Sequence, residues 1–433
     1  MRRPIGDDGQ QQRIKHVVVI VQENRSFENF FAGYPGANAP TSGCAKSRKP
    51  APQSRPERSG SCPSGDTSVP LHQVTFKNNH DLPHNWPASM KDWDNGNMDG
   101  FSLFGKKPTY AYAYMDRKEI VPYWTMAQQY VLLDAMFPTE FGGSFTAHLT
   151  LIAGTDDLQL PSTAEVDFPN AAPDDCDSVP GTRSSYINAD RKEFHYQGPF
   201  PCFDQFNTIA EVLDRADISW RIYATRVLAG GFWEPFEEIK YVRYGPDWPS
   251  NVVAPQTKVL TDISSGNLAA VTWVTPSYAD SDHPAHHSDQ GPSWVSSIVN
   301  AIGESPFWNS TAIIVLWDDW GGFYDNAKPP QLDYRGLGIR VPCLIISPYA
   351  KVGYVDHTQY EFGSILRFIE EVNGVRAGSI GSVKNGYTDG RATGLSDAFD
   401  FTKPPRKFST IPSKYPRSYF LHEPPSSDPV DTQ

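Results

Sequence analysis

The chain has 433 residues, with 38 Lys plus Arg against 50 Asp plus Glu, and a formal charge of −12 at pH 7. An acidic surface repels nucleic-acid phosphates, so nucleic acid is excluded as the expected partner. No run reaches the roughly 18 apolar residues that a membrane span needs, and the opening MRRPIGDDGQQQRIK lacks the apolar segment of an export signal.

Residues 1–12 read as a flexible tail. HVVVIVQ (16–22) is a short β-branched run, expected as a buried strand, and it ends abruptly in ENRSF. Residues 37–70, rich in Ser, Pro and Gly, read as a long surface loop. In 120–135, Tyr123, Met126, Ala127 and Tyr130 share a helical spacing, and VLLDAMF follows as a strand. SFTAHLTLIAG (144–154) predicts a buried helix capped by Ser144 or a neighbour, with Gly154 as its stop. Residues 156–203 are polar and read as an insertion.

Beyond it, 206–217 predicts a helix, 218–224 and 268–276 strands, and 294–305 a helix. TAIIVLWDD (311–319) and GIRVPCLIISP (338–348) read as further strands. FGSILRFIEEVNG (362–374) carries Ile365, Phe368, Ile369 and Val372 on one helical face. Alternating strands and helices imply one α/β domain over 13–405, with a mainly parallel sheet covered on both faces. The segment 406–433 is expected to wrap loosely over the surface as a C-terminal tail.

Cys44 and Cys62 share the first loop, and Cys176 and Cys202 bracket a second polar stretch. Two local disulfides are the expectation, with Cys343 left over in an apolar strand, although spacing alone does not fix connectivity. Oxidising compartments permit such bridges, so a secreted or periplasmic protein is the expectation, with a cytosolic one the alternative that the missing export signal leaves open.

The chemistry is expected where strands end. The first exits into Glu23-Asn24 and a later one into Asp318-Asp319, so both pairs fall at one edge of the sheet, where such sheets bind ligands. Carboxylates crowded in a low dielectric repel each other, and a bound cation removes that penalty. The all-oxygen character of these donors suits a hard divalent ion. Taken singly, each pair also reads as ordinary helix-start acids. The glycines Gly321-Gly322 would let backbone approach a ligand closely.

Ser144 opens a buried helix after Gly142-Gly143, which suits a nucleophile at a helix N-terminus and equally suits a plain capping serine. His148, four residues on, shares its face and would contact the substrate phosphate or orient the serine. The cluster SDHPAHHSDQG (281–291) supplies Asp282, His283, His286 and His287, and NHDLPHNW (79–86) supplies His80 and His84. Histidines can protonate a leaving oxygen near neutral pH, and mobile surface loops also explain them.

Together the segments VQENRSFENFFAGYPG, NHDLPHNW, NGNMDGF, VTPSYADSDHP, LWDDWGGFYDN and GLGIRVPCLIISPYAKVGYV resemble the bacterial and plant phosphoesterase family, which includes non-specific phospholipase C enzymes and an acid phosphatase branch. The resemblance runs from about residue 14 to 371. It implies a three-layer fold similar to alkaline phosphatase and the arylsulfatases, with loop insertions. It also implies a Ser or Thr nucleophile that ligates one divalent metal, whether Ca, Mg, Mn or Zn.

Carried over by motif, the metal ligands are Glu23, Asn24, Ser144, Asp318 and Asp319, and the site histidines are His84 and His283. Asp282 precedes His283 in the same motif. The nucleophile region departs from the phospholipase C pattern GPTxPNR. Counting back from Ala153-Gly154-Thr155 puts Ser144 at the Thr position and His148 at the Arg position, and the serine matches the acid phosphatase branch. Asn326 stands where relatives often have His, and no match to a further histidine motif appears around 226–245.

The implied reaction is phosphate-ester hydrolysis through a phosphoseryl intermediate. The substrate is a phosphate ester or phospholipid, with transient contact at a membrane surface. The rival readings are an acid phosphatase acting on monoesters and a non-catalytic binding protein that kept the fold. A sulfatase is a weaker fit, because FTAH follows Ser144.

Overall fold

The computed structural model describes residues 13–46, 62, 66–103, 107, 109–158, 163–225 and 233–426. The expected 1–12 tail, most of the first loop's centre and 226–232 lie outside the described residues.

A nine-stranded sheet organises the chain. Its strands are β1 (His16–Gln22), β2 (Val131–Phe137), β3 (Trp220–Tyr223), β4 (Val252–Val253), β5 (Val271–Val274), β6 (Thr311–Trp317), β7 (Val341–Ile346), β8 (Tyr354–Asp356) and β9 (Tyr360–Glu361). The order is β4-β3-β5-β1-β6-β7-β2-β8, with β9 also beside β2. Six pairings are parallel. Only β7 runs against its neighbours β6 and β2. The mainly parallel sheet expected from sequence is therefore present, with one reversed strand.

All seven residues of β6 are buried. Alternate side chains of a strand point to opposite faces, so a wholly buried strand requires cover on both. Two groups of helices supply it. One contains α2 (Val121–Gln129), α5 (Lys258–Ser264), α6 (Gly291–Gly303) and α8 (Arg417–Leu421). The other contains α3 (Ser144–Ala153), α4 (Ile209–Arg215) and α7 (Phe362–Val372). A short helix α1 (Phe27–Phe31) follows β1, capped by the Ser26 side chain. Thr208 and Glu211 form a capping box on α4.

The expected disulfides form as Cys44–Cys62 and Cys176–Cys202, and Cys343 is free and buried in β7. The 156–203 insertion has structure of its own: an antiparallel sheet of Ala164–Pro169, Ser184–Asn188 and Glu193–Phe194. No helix among the described residues is long and apolar enough to cross a membrane.

The C-terminal segment differs from the loose wrapping expected. Through residue 426 it is pinned to the first helical layer. Ile411 and Phe420 are 1% and 0% exposed. Phe420 packs on Trp294 at 5.4 Å between centroids. Asn300 exchanges two hydrogen bonds with the Ile411 backbone. Pro and Ser dominate the composition, and a few apolar anchors decide the outcome. Phe420→Ala should therefore lower stability by about 3–5 kcal/mol, read as a lower urea midpoint, where a loose tail would leave the midpoint unchanged.

Candidate active site

The geometry begins with register. Gln22 of β1 lies opposite Trp317 of the parallel β6, so Glu23-Asn24 and Asp318-Asp319 leave the sheet side by side. The Asp318 N–H donates to the Gln22 carbonyl at 3.0 Å. Two successive antiparallel pairings through β7 bring β2 back parallel to β1. The segment after Phe137 thus reaches the same edge and delivers α3.

Gly143 is the N-cap of α3, and no side chain caps the helix. Ser144 is its first residue, and its hydroxyl is used elsewhere. Ser144 Oγ donates to Asp319 Oδ2 at 3.2 Å and accepts from Asn24 Nδ2 at 3.0 Å. The same Asn24 amide donates to Asp319 Oδ2 at 3.0 Å, and the Asn24 N–H to Asp318 Oδ1 at 2.9 Å. One turn along α3, His148 Nε2 lies 2.8 Å from Glu23 Oε1 and 3.9 Å from Asp318 Oδ2. The structure thus gathers Glu23, Asn24, Ser144, Asp318 and Asp319, and adds His148.

Glu23, His148 and Asp318 offer atoms within 4.8 Å of one another, a buried group that could hold a metal ion. The electrostatics fit that reading. Burial, and then the neighbouring Asp318 charge, push the Asp319 pKa well above the usual carboxylate range. Burial pulls His148 down to about 4 against the opposing pull of Asp318, so it is neutral at pH 7 and adds no compensating charge. Asn24 Oδ1 and Asp318 Oδ2 are buried without a hydrogen-bond partner. Buried polar atoms are seldom left so, and a cation would satisfy both.

His84 and His283 are fully buried, with ring centroids 5.7 Å apart. Their hydrogen bonds assign opposite tautomers. His84 Nδ1 lies 2.7 Å from the Leu82 carbonyl, which can only accept, so Nδ1 carries the proton and Nε2 the lone pair. His283 Nδ1 accepts from the Ala285 N–H at 3.1 Å, which leaves Nε2 as the protonated nitrogen.

Asp282 takes a different position from the one its motif suggests. Its Oδ2 accepts from Tyr123 Oη at 2.7 Å and Trp317 Nε1 at 3.0 Å, and burial pushes it up to about 7. Buried between α2 and β6, it braces the loop that carries His283. His80 stacks on Tyr110, and His286 packs against Tyr278, whose ring lies 5.4 Å from that of His283.

Gly321-Gly322 also serve differently from expectation. Both have positive φ, +62° and +71°, and a Cβ on Gly321 would sit 2.1 Å from the Asn24 carbonyl oxygen. Gly321 makes room for the backbone of Asn24, itself left-handed at φ 59°, and Gly322 for Leu82 and the Pro83 carbonyl beside His84. What sequence reasoning missed was His148 as a member of the cation cluster. The available signal was its i, i+4 spacing from Ser144 on a helix whose every residue is buried.

The family model of the Phosphoesterase family matches residues 14–376. The chain belongs to the phosphoesterase family. Its relatives include a non-hemolytic phospholipase C of Pseudomonas aeruginosa, 26% identical over 92% of this chain and 58% of that protein. Phospholipase C B of Mycobacterium tuberculosis is 23% identical over 90% of this chain and 78% of that one. Non-specific phospholipase C6 of Arabidopsis thaliana is 27% identical over 38% of this chain and 36% of its own length. The chain thus spans little more than half the length of the Pseudomonas relative. Solved structures similar to it include a protein in the alkaline phosphatase superfamily from Vibrio parahaemolyticus, with TM-score 0.36 and 12% identity over 72% of this chain and 68% of that one. A sulfatase from Pseudoalteromonas sp. has TM-score 0.38 and 9% identity over 85% of this chain and 69% of that one.

Gly321→Ala should displace Asn24 and cost about 1–3 kcal/mol of stability. Thermal unfolding measures that, and hydrolytic rate should fall further than the loss of folded protein accounts for.

Proposed function

We propose that this family member hydrolyses phosphodiesters in the manner of a phospholipase C, by a two-step displacement at Ser144. The observation that carries the reading is the use of the Ser144 hydroxyl. It sits 3.2 Å from Asp319 Oδ2 and 3.0 Å from Asn24 Nδ2 instead of capping its own helix.

Glu23, Asn24, Asp318 and Asp319, with Ser144 and His148 beside them, are the residues that would hold a divalent cation. His148 brings a nitrogen donor to an otherwise oxygen set, which widens the fit from Mg, Ca or Mn to Zn. When bound, such an ion supplies positive charge that lowers the serine's pKa and offsets charge on the phosphoryl group.

The chain's own residues do the rest. Asp319 and Asn24 fix the orientation of Ser144 Oγ. As Oγ forms its bond to phosphorus, its proton passes to His84 Nε2, and His283 Nε2–H donates to a phosphoryl oxygen. The bond from phosphorus to the alcohol breaks, and that alcohol takes the proton from His84. Water then attacks the phosphoseryl group, gives its proton to His84, and the serine leaves with that proton. Asp282 acts only by bracing the His283 loop. The two disulfides fit export to an oxidising compartment.

A phosphomonoesterase would use the same groups, and a serine in place of the phospholipase threonine keeps that reading in view. Ser144→Ala should lower kcat by a factor of about 10⁴ or more with unchanged thermal unfolding, and near-wild-type turnover in that variant would end the assignment. Comparing nitrophenyl phosphate, nitrophenyl phosphocholine and phosphatidylcholine as substrates separates monoesterase from diesterase. Elemental analysis should find one divalent ion per chain, and its removal by a chelator should abolish turnover reversibly. A metal-free chain that hydrolyses none of the three esters would instead favour a binding protein.

A further inference from the structure

The second disulfide holds together a group of acids that the hydrolytic centre does not use. The loop it closes begins Asp174-Asp175-Cys176, with Asp174 left-handed at φ 72°. Beside it runs Trp233-Glu234, followed by a single helical turn, Pro235–Glu238. The two segments are joined backbone to backbone. The Cys176 N–H donates to the Glu237 carbonyl at 3.1 Å, and the Phe203 N–H, just past Cys202, donates to the Glu238 carbonyl at 2.7 Å. Five carboxyl groups are thereby gathered: Asp174, Asp175, Glu234, Glu237 and Glu238 are each 2% exposed or less.

Buried carboxylates are normally hydrogen-bonded or paired with a positive group. Both oxygens of Glu238 are buried without a hydrogen-bond partner, and so are Glu234 Oε1 and Asp174 Oδ1. The other four acids lie around Glu238: after burial, the charges of Asp175, Glu234, Asp174 and Glu237 push its carboxyl well above the usual range. The Asp175 and Glu237 carboxyls are within hydrogen-bonding reach of each other, a contact that needs a proton or a cation between them. Arg243 is the basic side chain whose charge bears on Asp175 and Glu234, and its guanidinium is already held by Asp177 at 3.0 and 3.1 Å. Lys240, two residues after Glu238, turns instead to Asp204 at 3.1 Å.

We propose that Asp174, Asp175, Glu234, Glu237 and Glu238 form a second cation site, for an exchangeable calcium ion that fastens the disulfide loop to the Trp233 segment. The donors are all oxygens, on loop and turn backbone that can adjust, which suits calcium better than zinc or the strict octahedron of magnesium. The hydrolytic cluster differs in chemistry, because His148 gives it a nitrogen. Calcium held with a Kd of about 10⁻⁴–10⁻³ M, as in extracellular modules, leaves on dialysis and is distinct from the one firmly bound ion expected at the centre. Its place in the fold gives it a consequence. The Trp233 ring lies 6.2 Å from that of His283, and the Phe203 ring lies 6.4 Å from that of Phe145, next to Ser144. An ion that ties Glu234 and Glu238 to Asp174 and Asp175 fixes both contacts. The site stands independently of the hydrolytic reading.

The test is calorimetric titration of the full dialysed chain with calcium chloride. Wild type should bind one calcium ion per chain. Asp175→Asn combined with Glu238→Gln should weaken that binding about tenfold or more. Asp318→Asn, in the hydrolytic cluster, should leave it within about twofold of wild type. In about 10 mM calcium the wild-type unfolding temperature should rise by about 2–5 °C, and that of the double variant should not move. Should the double variant fail to fold, Asp174→Asn alone must weaken binding in the same direction. No calcium binding by wild type overturns the site. Unchanged affinity in the second-site variants, or its loss in Asp318→Asn, assigns the ion elsewhere and overturns it as well. None of these readings depends on turnover, so a chain that hydrolyses no ester can still bear the site out.

Discussion

The site depends on one amide. Asn24 donates from Nδ2 to both Ser144 Oγ and Asp319 Oδ2, and from its backbone to Asp318 Oδ1. It thereby ties three separate strand exits into one object. To do so it adopts a left-handed backbone at φ 59°, a conformation that costs energy in any residue but glycine and is tolerated best by Asn and Asp. The surroundings hold it there. Gly321 yields the space for its carbonyl, and the parallel register of β1 and β6 sets both acids within reach. Strain of this kind persists only where packing over-determines it, and such positions concentrate at functional sites.

The reversed strand then becomes intelligible. β7 enters the sheet at the edge where β1 and β6 leave it, so the residue before it, Arg340, arrives among the acids. Arg340 forms two bonds to Asp325, at 2.9 and 3.1 Å, and lies 3.8 Å from Glu28. Arg335 plays the matching part for Asp156 and Asp333. Breaking a buried pair of this kind costs about 3–5 kcal/mol, so these arginines hold the outer carboxylates in place. At the centre the basic side chain that reaches Glu23 and Asp318 is His148, which burial keeps neutral. The protein's own cations are thus spent on the periphery, and negative charge is left concentrated where a metal ion would do the most work.

How much of this the sequence disclosed follows from periodicity. β1, β2 and β6 announce themselves as β-branched or apolar runs, and their ends mark the site, so Glu23, Asn24, Asp318 and Asp319 were legible as strand-end residues. Ser144 was legible as the start of a buried helix, but its use was not: a capping serine and one turned toward an acid have the same local sequence. Strand direction was also hidden, because an apolar run such as Val341–Ile346 fits a parallel or an antiparallel neighbour equally well. Asp282 shows the limit of motif transfer. It sits beside His283 in the chain, yet an extended segment sends consecutive side chains to opposite sides, and this one meets Tyr123 and Trp317. Composition misled at the C-terminus for a comparable reason, since Ile411 and Phe420 outweigh the Pro and Ser around them.

The division of labour between the two sheets follows from the same physics. A residue that must hold a buried charge to a few tenths of an ångström needs neighbours that cannot move, and the wholly buried strands around β6 provide them. A surface that distinguishes one ester from another needs only charge and shape near the mouth, and it can vary without disturbing the sheet beneath. The 156–203 insertion forms a sheet of its own outside that buried one. It is closed by its own hydrogen bonds and by the stacked pair Tyr186–Phe194 at 4.7 Å, and it touches the nucleophile helix through Phe168 against Phe145. The hydrogen bonds among Asn24, Ser144 and Asp319 draw nothing from it. That separation is one physical route by which a shared catalytic edge can serve different substrates.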